Sequence, residues 1–497
     1  MNKRYIKRGF TGLKVFVFTA LFLVSGMAGQ DDITLPQTPA GTKLQAFLDV
    51  FNTGDADNYQ SFIENNHVKS DDPRRSTEAR VGIYQMLFND LGQLEIHQIL
   101  NAEDNSISVL MKSLKPTAQY EWVEFTLMLN EENHDLINSF QVLPGMPPLD
   151  LPGRPLSDDE ITEMVRAFVD EKVSKDEFSG TILFARGDDI IYQDVRGKAS
   201  LRFNIPMQFD TKLNLGSMNK MITAVAIGQL VDQGKLSFDD KLGDILPDFP
   251  MKDAAEKVTV HHLLTHTSGL GDYWTDEWER NWFWVRTLDD YLPYVVVDSL
   301  QFEPGDQFSY SNSGFIVLGM IIEKVSGQSY FDYVRENIYK PAGMENTYCY
   351  HMEDPIPNLA IGYTKTNFNG EPIPGWKNNF YRHAPQGGPA GGGFSTAPDL
   401  LKFIRALTDN KVISEQTRDI LWEGKVPMGG PGMKYGYGFG DHHDLPYRYI
   451  GHTGGAPGIN AFLGYIPQLD ITVIVLSNYD DGAMQIADHF MRLVTHK

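Results

Sequence analysis

The sequence predicts an α+β protein in two parts, and three observations carry that prediction. Residues 36–143 pass from helix-period patterning to strand-like runs, a proline-rich stretch interrupts the chain at 144–157, and the remainder, 158–497, opens on a helix and two strands and closes on strands and a helix. The separation into parts suits the length, since 497 residues exceed what one hydrophobic core usually holds.

In the first part, Leu44, Phe47, Leu48 and Phe51 recur at i, i+3, i+4 and i+7, which gives one helix an apolar face. Asn52-Thr53-Gly54-Asp55 breaks that helix and caps a second one running through Phe62 and Ile63. A third spans about Glu78 to Leu91 and stops at Gly92. Strand-like runs follow at 94–100, 107–112, 120–129 and 136–143, separated by polar turns. This order resembles the cone-shaped nuclear-transport-factor-2-like (NTF2-like) fold. Packing support is the role expected of it, with covering a cleft, holding part of a substrate or forming a dimer as alternatives. The connector, from Leu143-Pro144-Gly145 through Pro152-Gly153-Arg154-Pro155, can form neither helix nor interior strand.

Before these parts lies a leader. Lys3, Arg4, Lys7, Arg8 and Lys14 precede an apolar core from Val15 to Val24 and then Ser25-Gly26-Met27-Ala28, the pattern of a signal peptide over residues 1–28. The core is about half of the roughly 20 residues a membrane-spanning helix needs, so cleavage and export to periplasm or medium are expected, without stable membrane insertion. An uncleaved anchor is the alternative. The one cysteine, Cys349, leaves no internal disulfide to form. Without the five basic residues of the leader the formal charge goes from −22 to −27, an acidic balance that disfavours nucleic acid and anionic lipid as partners.

The chemistry is concentrated in three short, widely separated motifs: Ser217-Met218-Asn219-Lys220, Tyr310-Ser311-Asn312 and His452-Thr453-Gly454. Ser217 is the one serine with lysine at i+3, and Tyr310 the one tyrosine with asparagine at i+2. Residues three apart share a helix face, so the Lys220 amine can reach the Ser217 hydroxyl. A serine attacks poorly unless a neighbour accepts its proton, and a desolvated lysine can do so. Taken alone, such a pair is more often a helix-capping serine and a solvated lysine. Its context argues otherwise, because Lys212 to Gly216 reads as a short approach and Met221 to Leu230 as a buried apolar helix.

Together with Gly234-Lys235-Leu236-Ser237, Leu263 to Leu270 and Phe302-Glu303-Pro304-Gly305, these motifs resemble the penicillin-recognising serine hydrolases over about residues 160–497. The branch is that of class C β-lactamases, D-Ala-D-Ala carboxypeptidases, D-aminopeptidases and related esterases. The resemblance implies a β-lactamase/transpeptidase-like fold, with an antiparallel sheet of five or more strands flanked by the terminal helices and an all-helical insertion carrying Tyr310. It implies Ser217 as acyl-enzyme nucleophile, Lys220 as its base and Tyr310 as a second proton-transfer group. Asn312, His452, Thr453 and Gly454 would bind substrate, and the backbone N–H groups of Ser217 and Gly455 would form the oxyanion hole. No cofactor or metal is implied.

His452 stands where β-lactamases of this class usually carry lysine. A neutral imidazole holds a carboxylate less firmly than an ammonium, which makes antibiotic hydrolysis the less favoured reading. The expectation is therefore an exported serine hydrolase acting on peptide or amide bonds, like a DD-peptidase or D-aminopeptidase, with a small peptide or ester as substrate. A carboxylesterase using the same site and a non-catalytic binding module are the alternatives. The sequence leaves the oligomeric state open.

Other residues read as structural. His261, His262 and His266 lack metal-ligand spacing and fit capping and packing better. His442 and His443 read as solvated turn residues. Four of the seven tryptophans fall between Trp274 and Trp284, either lining a pocket or packing an insertion. Gly387 to Gly393 is no phosphate loop, since neither Lys-Ser nor Lys-Thr follows it, and Ser395 or Thr396 caps the next helix.

Overall fold

Backbone capping and alternation explain the elements in the computed structural model, which describes residues 33–70, 75–118, 120–149, 151–296, 299–368, 370–428, 432–443 and 445–496. The leader at 1–28 lies outside the described residues. The chain divides between Leu151 and Pro152 into two units.

In the first unit, Thr38 and Asp55 each accept backbone N–H groups to start helices Pro39–Phe51 and Ala56–Asn66. The third helix, Thr77–Leu91, ends where Gly92 takes φ 68°. Four strands, Leu94–Ala102, Ser106–Ser113, Trp122–Leu129 and Ile137–Pro144, form an antiparallel meander in chain order. The core is aromatic: Phe47 stacks on Phe125 at 4.7 Å between centroids, and Phe51, Tyr59 and Tyr84 are buried with them.

The second unit is built on an eight-stranded antiparallel sheet, whose strands run Val426–Pro427, Met433–Tyr435, Gly440–His442, Tyr449–Ala456, Ile459–Ile466, Ile471–Ser477, Gly180–Arg186 and Asp189–Arg196 from edge to edge. Ile471–Ser477 is buried at every position, so both faces of the sheet centre are covered. On one face Phe184 stacks on Phe490 of the terminal helix Ala483–Val494, which packs beside Asp158–Ser174. On the other face Leu183, Ile474 and Leu476 join the larger core, with Phe403, Ile404 and Leu407 of helix Ala397–Thr408. Ser157 opens Asp158–Ser174 with a reciprocal capping box to Glu160, and Thr396 caps Ala397–Thr408.

Helix Asn219–Asp232 is buried from Asn219 to Leu230, as an apolar helix at the centre of a core must be. Helix Asn312–Ser326 packs against it, in the mostly helical stretch between the serine motif and the later strands. Trp278 is buried and Trp274 and Trp282 pack on the same core, while Trp284 is exposed, so most of the tryptophan cluster secures this insertion. His442 departs from its expected place in a solvated turn. It lies in strand Gly440–His442, 2% exposed and stacked on Tyr449 at 4.3 Å, because strand pairing turns alternate side chains inward. Among the described residues no helix is long and apolar enough to cross a membrane.

Candidate active site

The serine is delivered by a tight turn. After Leu213–Asn214, the Asn214 side chain accepts the Gly216 N–H at 2.9 Å, and Gly216 takes φ 51°. Gly216–Met218 forms one 3-10 turn before helix Asn219–Asp232 begins, so Ser217 precedes the helix and Lys220 occupies its first turn. A Cβ on Gly216 would stand 2.9 Å from the Gly455 nitrogen, and one on Gly454 only 1.9 Å from the Leu215 carbonyl oxygen. Both positions therefore require glycine, and the contact brings the backbone at Ser217 beside the exposed Gly455. Thr453, between buried His452 and Gly454, is partly exposed on the same strand.

Lys220 is fully buried and has three acceptors around its amine: Asn312 Oδ1 at 2.7 Å, the Ala390 carbonyl at 2.6 Å and Ser217 Oγ at 3.3 Å. Desolvation pulls its pKa down to about 7, against the opposing pull of Asp272. An ammonium donates three hydrogen bonds, whereas the neutral amine donates two and offers a lone pair. The two short contacts can stay as they are while the longer one reverses, with Ser217 donating to nitrogen. Asn312 Nδ2 donates to Asp272 Oδ2 at 2.8 Å, which orients its oxygen toward Lys220.

Tyr310 completes the cluster. The Lys220 nitrogen lies 4.7 Å from its ring centroid, and burial raises the phenol pKa while interaction with the Ser217 side chain partly offsets the rise. The group is thus a proton carrier across the neutral range. His452 lies 6.4 Å from Tyr310 between ring centroids. Its Nδ1 donates to the Thr453 carbonyl at 2.6 Å, and its Nε2 accepts from the Tyr435 hydroxyl at 3.0 Å. Burial, with Lys220 nearby, lowers its pKa to about 3, so the imidazole is neutral. With both nitrogens engaged by the protein, His452 forms part of the wall. The direct substrate contact expected of it is not what this geometry offers, while Thr453 is partly exposed and Gly455 exposed.

The structure thus brings Ser217, Lys220, Tyr310 and Asn312 together. Sequence reasoning missed Asp272, the Ala390 carbonyl and Tyr435. Asp272 had a signal: it is an acid next to a run, Leu263 to Leu270, that is buried throughout. A backbone carbonyl has none. The glycine-rich segment proves to wrap the helix start, where Asn219 binds the Gly388 carbonyl and the Gly393 N–H, and Thr223 binds the Pro389 carbonyl. His261 hydrogen-bonds with the Tyr437 hydroxyl and His262 closes a capping box with Thr259. The Cys349 thiol, buried and pushed up to about 12, is inert.

The Beta-lactamase family model matches residues 163–496. Penicillin-binding protein 4* of Bacillus subtilis (strain 168) is 31% identical over 341 residues, covering 64% of this chain and 73% of that protein. Esterase EstB of Burkholderia gladioli is 30% identical over 294 residues, covering 51% of this chain and 73% of the esterase. The crystal structure of a penicillin-binding protein from Bacillus halodurans superposes with a TM-score of 0.59 at 33% identity, covering 65% of this chain and 98% of that one.

Proposed function

The chain belongs to the beta-lactamase family and is a serine hydrolase of that family, and from this premise we propose that it cleaves peptide or amide bonds through an acyl-enzyme on Ser217. The observation that carries this reading is the reversible 3.3 Å contact between Ser217 Oγ and a buried amine whose pKa is about 7. As Oγ attacks the substrate carbonyl carbon, its proton passes to Lys220 Nζ. The carbonyl oxygen gains negative charge, for which the backbone N–H groups of Ser217 and Gly455 are the assigned donors. Tyr310 gives its proton to the leaving nitrogen and is reprotonated at the expense of Lys220. Water then attacks the acyl carbon, giving a proton to the same groups and releasing Ser217.

Asn312 and Thr453 are proposed to bind the substrate backbone. The neutral His452 supports a substrate whose recognition does not depend on a buried cation at that position. An esterase reading is favoured by one observation, the identity with EstB, and uses the same groups on an alcohol leaving group. Incubation with D-amino-acid peptides and p-nitrophenyl esters, with mass spectrometry after a fluorophosphonate, tests both. A Ser217 adduct with peptide turnover is expected; ester turnover without peptide cleavage rejects the peptidase, and absence of any adduct rejects the hydrolase site.

The leader supports export, which N-terminal analysis of the mature protein checks: an intact Met1 rejects cleavage. For the first unit, three helices followed by a four-stranded meander support the NTF2-like reading, and packing support is the role proposed for it.

A further inference from the structure

His266 has an unusual position for a residue with no part in the chemistry described so far. It is 1% exposed and holds φ 59°, a left-handed conformation that a histidine adopts only when its surroundings enforce it. Its carbonyl accepts the Ser309 N–H at 2.9 Å, and its Nδ1 accepts the Ser311 N–H at 3.0 Å. The same residue therefore ties down the backbone on both sides of Tyr310. Its imidazole also lies against the Tyr310 ring, with centroids 4.2 Å apart and planes at 31°. Phe315 at 5.1 Å and Tyr435 at 4.7 Å hold the imidazole in turn.

The chemistry of the ring follows from these contacts. A backbone N–H pointing at Nδ1 requires a lone pair there, so the proton sits on Nε2. Nε2 is buried without a hydrogen-bond partner among the described residues. A second proton on Nδ1 would have to displace the Ser311 N–H; burial, with Lys220 and His452 nearby, holds the imidazole pKa well below the ordinary value, so the ring stays neutral. An orphaned buried donor and a left-handed backbone are both unfavourable, and a simple packing residue such as leucine would avoid the first. What leucine lacks is an acceptor for the Ser311 N–H.

We propose that His266 is a positioning residue for this hydrolase, a clamp that fixes the Tyr310 phenol where it must hand a proton to the leaving group. The proposal rests on the reading of Tyr310 as the proton donor. Lost positioning must therefore weaken cleavage most where the leaving group needs that proton. Two esters sharing one acyl group separate the cases: p-nitrophenolate departs as a stable anion, whereas ethoxide must be protonated.

The test uses the full chain with p-nitrophenyl butyrate and ethyl butyrate, reading kcat/KM, which reports acylation. In His266→Ala, kcat/KM on the ethyl ester is expected to fall on the order of 10²-fold and on the p-nitrophenyl ester by less than about tenfold. His266→Asn keeps an acceptor two bonds from Cβ and tolerates φ near 60°, so it restores the ethyl ester rate to within about tenfold of wild type. His266→Gln moves its acceptor one bond outward and does not restore it. If the alanine variant fails to fold, the asparagine and glutamine pair carries the comparison alone. Equal losses on both esters, or glutamine matching asparagine, overturn the clamp. Wild type that forms no Ser217 adduct and turns over neither ester overturns the underlying mechanism instead, a result distinguishable from the first because no variant is then needed to see it.

Discussion

Two buried bases, one in each unit, have opposite surroundings. Lys220 sits in the second unit with three acceptors and with Asp272 within electrostatic range, and its pKa settles at about 7. His67 sits in the first unit, 4% exposed, hydrogen-bonded through Nε2 to Tyr84 at 2.8 Å, with no hydrogen-bond partner for Nδ1 among the described residues. Its charged neighbours are cations, Arg80, Arg75 and Lys43, which add to desolvation and take its pKa to about 3. Burial turns off the imidazole. Burial lowers both by a similar amount, from 10.5 to about 7 and from 6.5 to about 3, so Lys220 stays poised between protonation states because an amine starts from the higher value, with Asp272 adding a smaller opposing pull.

The comparison breaks most visibly at the nucleophile. Ser217→Ala is expected to lower turnover on the order of 10⁴ to 10⁶-fold with the fold unchanged, and Lys220→Ala nearly as much, as happens when one member of a coupled pair is lost. Steady-state rates on the same ester, with circular dichroism as the control for folding, check this; rates near wild type in both variants would remove Lys220 from its role. Tyr310→Phe retains the ring against Lys220 and His266 but loses the proton, and a fall on the order of 10² to 10⁴-fold in kcat is expected.

Asp272→Asn tests the anion directly. With Lys220 titrating at about 7, kcat/KM should rise with pH through that value as the amine loses its proton. Asp272 stabilises the ammonium, so removing its charge lowers the Lys220 pKa further. The acidic limb of the profile should therefore move to lower pH, by up to about one unit. A limb that stays in place, or moves upward, shows that Asp272 acts only by orienting Asn312.

Much of this site was legible in the sequence for a geometric reason. Ser217 and Lys220 are three residues apart, and the 3-10 turn Gly216–Met218 that runs straight into helix Asn219–Asp232 keeps them about one turn apart. Asp272 reaches Asn312 across 40 residues, and only the tertiary fold decides that contact. The Ala390 carbonyl is a backbone group in a glycine-rich run and carries no side-chain signature. In the first unit, the recurrence of Leu44, Phe47, Leu48 and Phe51 marked the face that is in fact buried in helix Pro39–Phe51. His442 read as a solvated turn residue, whereas pairing with Tyr449 places it inside strand Gly440–His442. His452 was legible as a neutral group, but not as one whose two nitrogens are both spent on Tyr435 and Thr453, since Tyr435 lies on a strand that is not its immediate neighbour.

The smallest effect on turnover belongs to His67. Replacing it with phenylalanine removes the partner of a buried Tyr84 hydroxyl, which costs about 1 to 3 kcal/mol of stability, and the double change His67→Phe with Tyr84→Phe should recover most of that. Turnover should stay within about twofold of wild type, since surface and core changes away from a site leave its geometry intact. The pH dependence carries the sharper signature. Folded His67 takes up a proton only near pH 3, whereas the unfolded residue takes one up at 6.5, so stability on this account falls as pH drops from 6.5 toward about 3. Removing the imidazole should flatten the acid side of the unfolding free energy by one proton, about 1.4 kcal/mol per pH unit. A slope unchanged in the variant would mean that the ring is already protonated in the folded protein, and burial would then not have turned His67 off as it is held to have done.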